Sequence, residues 1–417
     1  PAARPAAVAA GPNIVFVMID TLRADALGAY NPERAGATPA IDSLARDGVL
    51  FEQAFVQASW TRPSVASVMT GRFPTAHGAV HKDDALPDAA PTLAELLRDR
   101  GWATAGIVTN YNLAPAFNYQ QGFEEYVYLE PRRLFGASDV GAKLALYEIL
   151  RKVHARRLTG AHDVDRYYQD ARRTTDEALA WIDRHRRSGD ARPFFLFVQY
   201  MDPHDPYFAH DGSGEAYGQA LAPNPPREKL DRIIELYHGE VSFTDRHVGR
   251  LLDGLRDLGL YDPAIVVVWA DHGVELQEHG GWWHGTTLYD EQVHVPLIVK
   301  QPAAEGAAAA ARPGTRVQTW VSLIDVPWTL LRWAGHAADD LAALGYVGAD
   351  LFMPRAGPVV FMEQDHQGNV LRALRYVGSD GSPYKYIEAE AIARPGLRPR
   401  ELYEVAAPER SPDLRRA

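Results

Sequence analysis

Apolar residues gather into runs of strand length that end abruptly in polar ones, and between the runs apolar positions recur at helical spacing. Asn13 to Ile19, Trp102 to Val108, Phe194 to Tyr200 and Ala264 to Ala270 are nearly continuous, and Val49 to Phe55 and Val295 to Lys300 are shorter returns of the same kind. A run without alternation suits a strand covered on both faces, as in a parallel sheet under helices. Thr38-Pro39 predicts a helix through Arg46, with threonine as cap and proline at the first helical position. Thr92 and Glu95 form a capping box ahead of a helix ending near Gly101. Helices follow over 166–186 and 227–257, and Val321 to Gly335 reads as one closed by its glycine. Residues 111–165 are less regular, 211–226 form a Gly, Pro and Asn-rich loop, and Ala303 to Ala311 an alanine-rich surface loop. From about 357 the pattern becomes short alternating runs, which predicts a small antiparallel sheet. The expectation is an α/β body over 13–356, a C-terminal antiparallel subdomain over 357–417, and a flexible remnant over 1–12.

One stretch interrupts this rhythm. Gln57 to Arg72 reads as the place where a strand stops and a helix begins, with Pro63 in the first turn, Val65, Val68 and Met69 at helical spacing, and Gly71 ending the run. Thr61 then lies at or just before a helix N-terminus, where unpaired N–H groups and the positive end of the dipole favour an anion. Read alone, the position is explained equally well by a threonine cap and by a nucleophile.

Composition narrows the field. A chain of 417 residues with 46% hydrophobic content has ample core, and a net charge of −11 argues against general nucleic-acid binding. There is no cysteine, hence no thiolate ligand or cysteine nucleophile. No apolar run reaches the roughly 20 residues of a transmembrane span. The opening Pro1 to Ala10, rich in Ala and Pro, reads as a remnant after a removed export signal or after trimming, so a periplasmic or extracellular location is expected beside a cytoplasmic one. Nothing in the pattern assigns an oligomeric state.

The run ends carry the chemistry. Asp20 follows the first run, Asp202 and His204 follow Phe194 to Tyr200, and Asp271 with His272 follow Ala264 to Ala270; Glu278 to Gly285 adds His279 and His284 on a glycine-rich loop. Ligands bind at the carboxyl ends of strands in open α/β sheets. Carboxylates and imidazoles converging there form a site for a divalent ion, and N and O donors without sulfur favour zinc or manganese over calcium. Such an ion beside Thr61 would lower its hydroxyl pKa and support displacement at phosphorus; one ion is expected, with room for a second.

Taken in order, these motifs resemble the sulfatase branch of the alkaline phosphatase superfamily: Asn13 to Asp20 with Thr21-Leu22-Arg23-Ala24-Asp25, Thr61-Arg62-Pro63-Ser64 with Thr70-Gly71-Arg72, Pro203 to Tyr207, Ala270 to Gly273, His284 to Tyr289, Val321 to Leu331 and Glu401 to Arg410. The resemblance implies a large mixed, mostly parallel sheet between helices with a small C-terminal antiparallel sheet. It implies that Asp20, Asp271 and His272 bind a metal that also contacts the nucleophile Thr61, and that His204 faces substrate or a second metal. His284 falls where sulfatases carry a lysine and two-metal phosphatases a histidine ligand. Asp202 could complete a second site with His204 and His284. Lys82, Asn110 and Arg62 stand as substrate-binding candidates, and His81 could also reach the pocket. Trp282, Trp283, Tyr207 and Tyr289 fit either an aromatic leaving-group pocket or packing.

The departures point away from sulfate. Sulfatases of this family make formylglycine from Cys or Ser in the pattern Cys/Ser-X-Pro-X-Arg, whereas this chain has Thr61 first and Val65 fifth. Threonine cannot become that aldehyde, and threonine nucleophiles belong to the superfamily's phosphate-handling members. The expected function is metal-dependent hydrolysis of a small anionic phosphate ester, diester or monoester, through phosphothreonine at Thr61. The alternatives are a sulfatase working without formylglycine, a transferase of a phospho-headgroup, and an inactive sulfatase-like binding protein.

Overall fold

The computed structural model describes residues 11–132, 164, 167–210, 213, 215–219, 221–302, 311–353 and 357–405, with the backbone of 415–416. Most of the alanine-rich loop and most of the irregular stretch before residue 167 therefore lie outside the described residues.

The apolar runs do form strands. They are β1 (Ile14–Ile19), β2 (Val49–Phe55), β3 (Ala103–Val108), β4 (Glu125–Tyr128), β5 (Phe194–Tyr200), β6 (Ile265–Trp269), β7 (His294–Lys300), β8 (Thr315–Val317) and β9 (Val321–Ser322). Across the sheet the order is β8, β2, β7, β6, β1, β5, β3, β4, with β9 also beside β2. All pairings are parallel except those of β7, which runs antiparallel to both β2 and β6. Every residue of β1, β5 and β6 is buried, which is why these segments show no alternation. Met18 pairs with Gln199 on one side and Trp269 on the other, so Asp20, Met201 and Asp271 emerge at one edge.

Helices cover the sheet in two groups. α1 (Pro39–Asp47), α4 (Ala171–Arg187) and α5 (Leu230–Asp257) pack together, as do α2 (Thr61–Thr70), α3 (Leu93–Asp99) and α6 (Asp325–Trp333). The capping box forms as the sequence predicts: Thr92 Oγ1 accepts from Glu95 N at 3.2 Å and Glu95 Oε2 accepts from Thr92 N at 2.9 Å. Thr38 does not cap α1; its hydroxyl accepts from Gly28 N and donates to Asp42 instead. Helix α4 starts later than its pattern suggests, because Asp170 accepts from Arg173 N at 3.0 Å and sets the first turn. The segment read as one helix from Val321 begins as strand β9, paired with Ala54 and Phe55, and turns helical only at Asp325, whose carboxylate accepts from Ser322 N at 2.9 Å. Sheet pairing there overrides local periodicity.

Helix α2 is fixed at its far end. Gly71 takes φ 63° and returns its N–H to Ser67 O at 2.8 Å, and a Cβ on it would strike the Tyr346 ring at 2.1 Å. Tyr346 donates its hydroxyl to Met69 O at 3.3 Å and Pro91 O at 3.1 Å.

The second sheet is antiparallel throughout: β10 (Val360–His366), β11 (Asn369–Val377), β12 (Pro383–Ala391), β13 (Arg400–Glu404) and β14 (Arg415–Arg416). A buried ion triad fastens it to the body. Asp290 accepts two bonds from Arg375 Nη1, at 3.0 and 2.8 Å, and one from Lys385 Nζ at 2.5 Å. The Arg375 guanidinium also lies 4.3 Å over the Phe55 ring. Burial alone would raise the Asp290 pKa, but Arg375 and Lys385 outweigh it and hold the carboxyl well below its usual range. Removing one member of such a group strands the others without a partner. Arg375→Met is accordingly expected to lower unfolding free energy by about 3 kcal/mol in urea titrations.

Candidate active site and metal centre

The carboxyl edge of the parallel strands gathers side chains from distant parts of the chain. Asp20 closes β1, Asp271 and His272 follow β6, Asn110 lies just past β3, and Thr61 is the first residue of α2. Trp60, at the N-cap position, makes no side-chain cap bond. The Thr61 hydroxyl faces the cluster, 3.3 Å from His272 Nε2 and 3.3 Å from Asn110 Nδ2. Asn110 Nδ2 also donates to Asp20 Oδ2 at 2.6 Å, so its amide bridges the two.

Ligand atoms of Asp20, Asp271 and His272 all lie within 4.8 Å of one another. His272 Nδ1 donates to Gly273 O at 2.9 Å, which leaves the Nε2 lone pair aimed inward, 3.4 Å from Asp271 Oδ2 and 3.8 Å from Asp20 Oδ1. Asp20 Oδ1 and Asp271 Oδ2 are buried and receive no hydrogen bond. Burial, then Asp271, raises the Asp20 pKa well above its usual value; burial chiefly pushes Asp271 up to about 7 and holds His272 down to about 3. Two carboxylate oxygens without donors beside a bare imidazole nitrogen make a donor set that fits a divalent cation.

A second group adjoins it. His204, Asp205 and His284 present ligand atoms within 4.8 Å of one another. The His284 ring centroid lies 4.8 Å from that of His204 and 4.5 Å from that of His272, and its Nδ1 is buried without a partner. Burial, followed by His272 and His204, keeps His284 neutral, well below the usual histidine pKa.

Other expected residues lie elsewhere. Asp202 joins neither group. Its fully buried carboxyl is raised by burial and by Glu240 and Asp170, which face it, and Asp205 stands beside His204 in its place. Arg62 turns away from the cluster: its guanidinium donates to the carbonyls of His81, Lys82 and Asp84 and to Asn112 Oδ1, and stacks 3.6 Å over Phe117. It fastens the 81–84 loop. Lys82 on that loop is exposed, and its charge reaches His284 and His366. His81, also exposed, pairs with Asp365 at 3.8 Å. The four aromatic candidates are buried. Trp283 donates to Pro223 O and Tyr289 to Glu401.

Residues that sequence reasoning passed over complete the surroundings. Gln199 donates to Asp20 Oδ2 at 3.3 Å and accepts from Thr109 N and Asn110 N; one amide inside an otherwise apolar run was the available signal. Ser64 Oγ donates to Asp271 O at 2.5 Å, tying α2 to the end of β6. His366 stacks on Trp60 and has no local signature in the sequence.

Comparison with known proteins gives the family and the fold. The sulfatase family model matches residues 12–336. The chain belongs to the sulfatase family. As a sulfatase-family hydrolase it is 25% identical over 446 residues to human iduronate 2-sulfatase, an alignment covering 89% of this chain and 76% of that protein. Its fold is similar to that of a phosphonate monoester hydrolase from Silicibacter pomeroyi, with TM-score 0.69, 20% identity, and coverage of 97% of this chain and 90% of the other. A phosphonate monoester hydrolase from Agrobacterium radiobacter superposes with TM-score 0.64 at 19% identity, covering 94% of this chain and 89% of that one. No helix among the described residues is long and apolar enough to cross a membrane.

Helix α2 also depends on a histidine outside the cluster. His77 accepts from Ala79 N at Nδ1, 3.1 Å, and so presents an Nε2 proton toward Pro63 O at 3.2 Å and Ser67 Oγ at 3.0 Å. Burial chiefly lowers its pKa to about 4. A folded-state value below the unfolded 6.5 means that the unfolded chain takes up the proton first, so this stability is intact above pH 6.5 and lost as pH falls toward 4. The loss is expected to reach about 3 kcal/mol. Urea unfolding between pH 7 and 4 should show a slope that His77→Gln flattens.

Proposed function

We propose that this sulfatase-family hydrolase cleaves small anionic phosphorus esters, with Thr61 as nucleophile and phosphothreonine as the covalent intermediate. One observation carries the reading: a threonine hydroxyl at the uncapped start of a helix points at the Asp20, Asp271 and His272 group instead of capping its own helix. The activity named for two fold neighbours, phosphonate monoester hydrolysis, supports phosphorus as the centre attacked. A sulfate ester is the second reading, favoured by curated relatives such as human iduronate 2-sulfatase. An inactive binding protein would have no use for a full set of inward-facing donors.

Asp20, Asp271, His272 and the Thr61 oxygen would hold one divalent ion, zinc or manganese in preference to calcium, which when bound supplies positive charge that lowers the hydroxyl pKa and offsets charge on the phosphoryl oxygens. His204, Asp205 and His284 are the residues that would hold a second. Thr61 loses its proton to solvent and attacks phosphorus; the Oγ1–P bond forms as the bond to the leaving oxygen breaks. Asn110 holds the Thr61 oxygen in line, and the positive end of α2 faces the developing charge. Where only the first ion is held, His204 in its imidazolium form, with Nδ1–H donating to the Asp205 carbonyl at 2.5 Å, gives the leaving oxygen a proton from Nε2. It then takes one from the water that attacks phosphorus; the Oγ1–P bond breaks, phosphate leaves, and Thr61 Oγ1 regains a proton from solvent. Lys82 on the rim holds a non-bridging oxygen.

Matched aryl phosphate monoester, diester and sulfate substrates test the choice of bond. Thr61→Ala is expected to cut kcat/KM on the phosphorus ester by about 10,000-fold or more with the melting temperature unchanged. Faster turnover of the sulfate would transfer the reading to sulfur, and unchanged phosphorus turnover in the variant would remove Thr61 from the mechanism. The ion has a readout independent of activity. Zinc or manganese at 100 times its dissociation constant should stabilise the native chain by about 3 kcal/mol in thermal melts, and Asp271→Asn should abolish that increment.

A further inference from the structure

The C-terminal sheet meets the pocket through one strand. His366, the last paired residue of β10, precedes the Gln367-Gly368 turn, whose two residues take φ 52° and 77° as a tight hairpin requires. Its imidazole stacks on Trp60 with ring centroids 4.3 Å apart and planes at 22°. Trp60 is the residue before Thr61. Gly285, the residue after His284, abuts the same pair; a Cβ on it would come within 2.9 Å of His366 Cδ2 and 3.4 Å of Trp60 Cβ. The imidazole thereby touches both backbone segments that present Thr61 and His284.

The same strand sews those segments together. Gln364 Oε1 accepts from Ser59 Oγ at 2.8 Å, its Nε2 donates to Gly285 O at 2.7 Å, and Glu363 N donates to Gln57 O at 2.8 Å. Packing alone would be met there by any flat ring, yet His366 brings two nitrogens that make no hydrogen bond among the described residues. A neutral imidazole offers a donor without adding a charge, and the stack on Trp60 fixes the ring plane before a ligand arrives.

We propose that His366 is a substrate-binding residue whose ring N–H donates to an oxygen of the bound ester, which makes the C-terminal sheet one wall of the ester site. This rests on the reading of the pocket as an ester site. The test compares the manganese-loaded native chain with His366→Phe, which keeps a ring against Trp60 and removes both nitrogens, and His366→Gln, which restores an N–H. Phenylphosphonate binding is measured by calorimetry, and KM and kcat on the matched phosphorus ester alongside it.

His366→Phe is expected to bind phenylphosphonate about tenfold more weakly and to raise KM by a similar factor, with kcat within twofold and the melting temperature unchanged. His366→Gln should recover most of both losses. Native binding and KM in His366→Phe would overturn the assignment. So would equal losses in both variants accompanied by lower melting temperatures, the signature of packing alone. If the native chain binds phenylphosphonate but hydrolyses no ester, the proposed reaction fails while the binding comparison still decides His366. A native chain that does not bind phenylphosphonate overturns both.

Discussion

Asp20 and Asp271 are wholly withdrawn from water, lie within reach of one another, and each keep an oxygen that no hydrogen-bond donor approaches. Leaving a buried carboxylate in that state costs several kcal/mol, so the fold spends structure to contain it. The other two oxygens are supplied with donors: Asn110 and Gln199 serve Asp20 Oδ2, and the backbone N–H groups of Thr21 and His272 serve Asp271 Oδ1. What remains is a directed deficit of positive charge, facing the Thr61 hydroxyl and the bare nitrogen of His272. The surrounding imidazoles cannot fill it, because burial holds His272 and His284 in the neutral form.

This explains why part of the site was legible from residue order. A parallel strand between two others has no room for polar side chains along its length, so Asp20 and Asp271 stand out as the first polar residues after apolar runs. Thr61 stood out through Pro63 and the helical spacing that follows. Long-range placement left no such mark. Nothing local separates Asp202 from Asp205 as neighbours of His204, since either lies within two residues of it. Arg62 beside Thr61 looks like an anion-binding side chain, yet its partners are carbonyls about twenty positions away. Gln199 was visible only as a polar residue out of place, and His366 not at all, because its neighbours Trp60 and Gly285 come from distant loops of the α/β body.

The junction of the two sheets is therefore more than an attachment. Its interior is held by charge, through Asp290, Arg375 and Lys385, and its edge by amide hydrogen bonds from Gln364. The triad fixes β11 and β12 against the body; the Gln364 bonds bring β10 alongside the loops that precede Thr61 and follow His284. Secondary-structure patterning identified an antiparallel region but not the face it turns to the pocket, since that depends on which strand of the hairpin docks.

The closing of helix α2 at Gly71 bears on how such a fold can change its chemistry. Its far end is locked by a left-handed glycine under Tyr346, and its near end is tied through Ser64 to the chain after β6. The helix is a short rod clamped at both ends, and the position of its first hydroxyl is inherited from those two anchors. The 81–84 loop, the 284–285 loop and the tip of β10 can then be rewritten one at a time without retuning the aim of the Thr61 hydroxyl. Such an arrangement lets the surroundings of that hydroxyl change while its own position stays fixed.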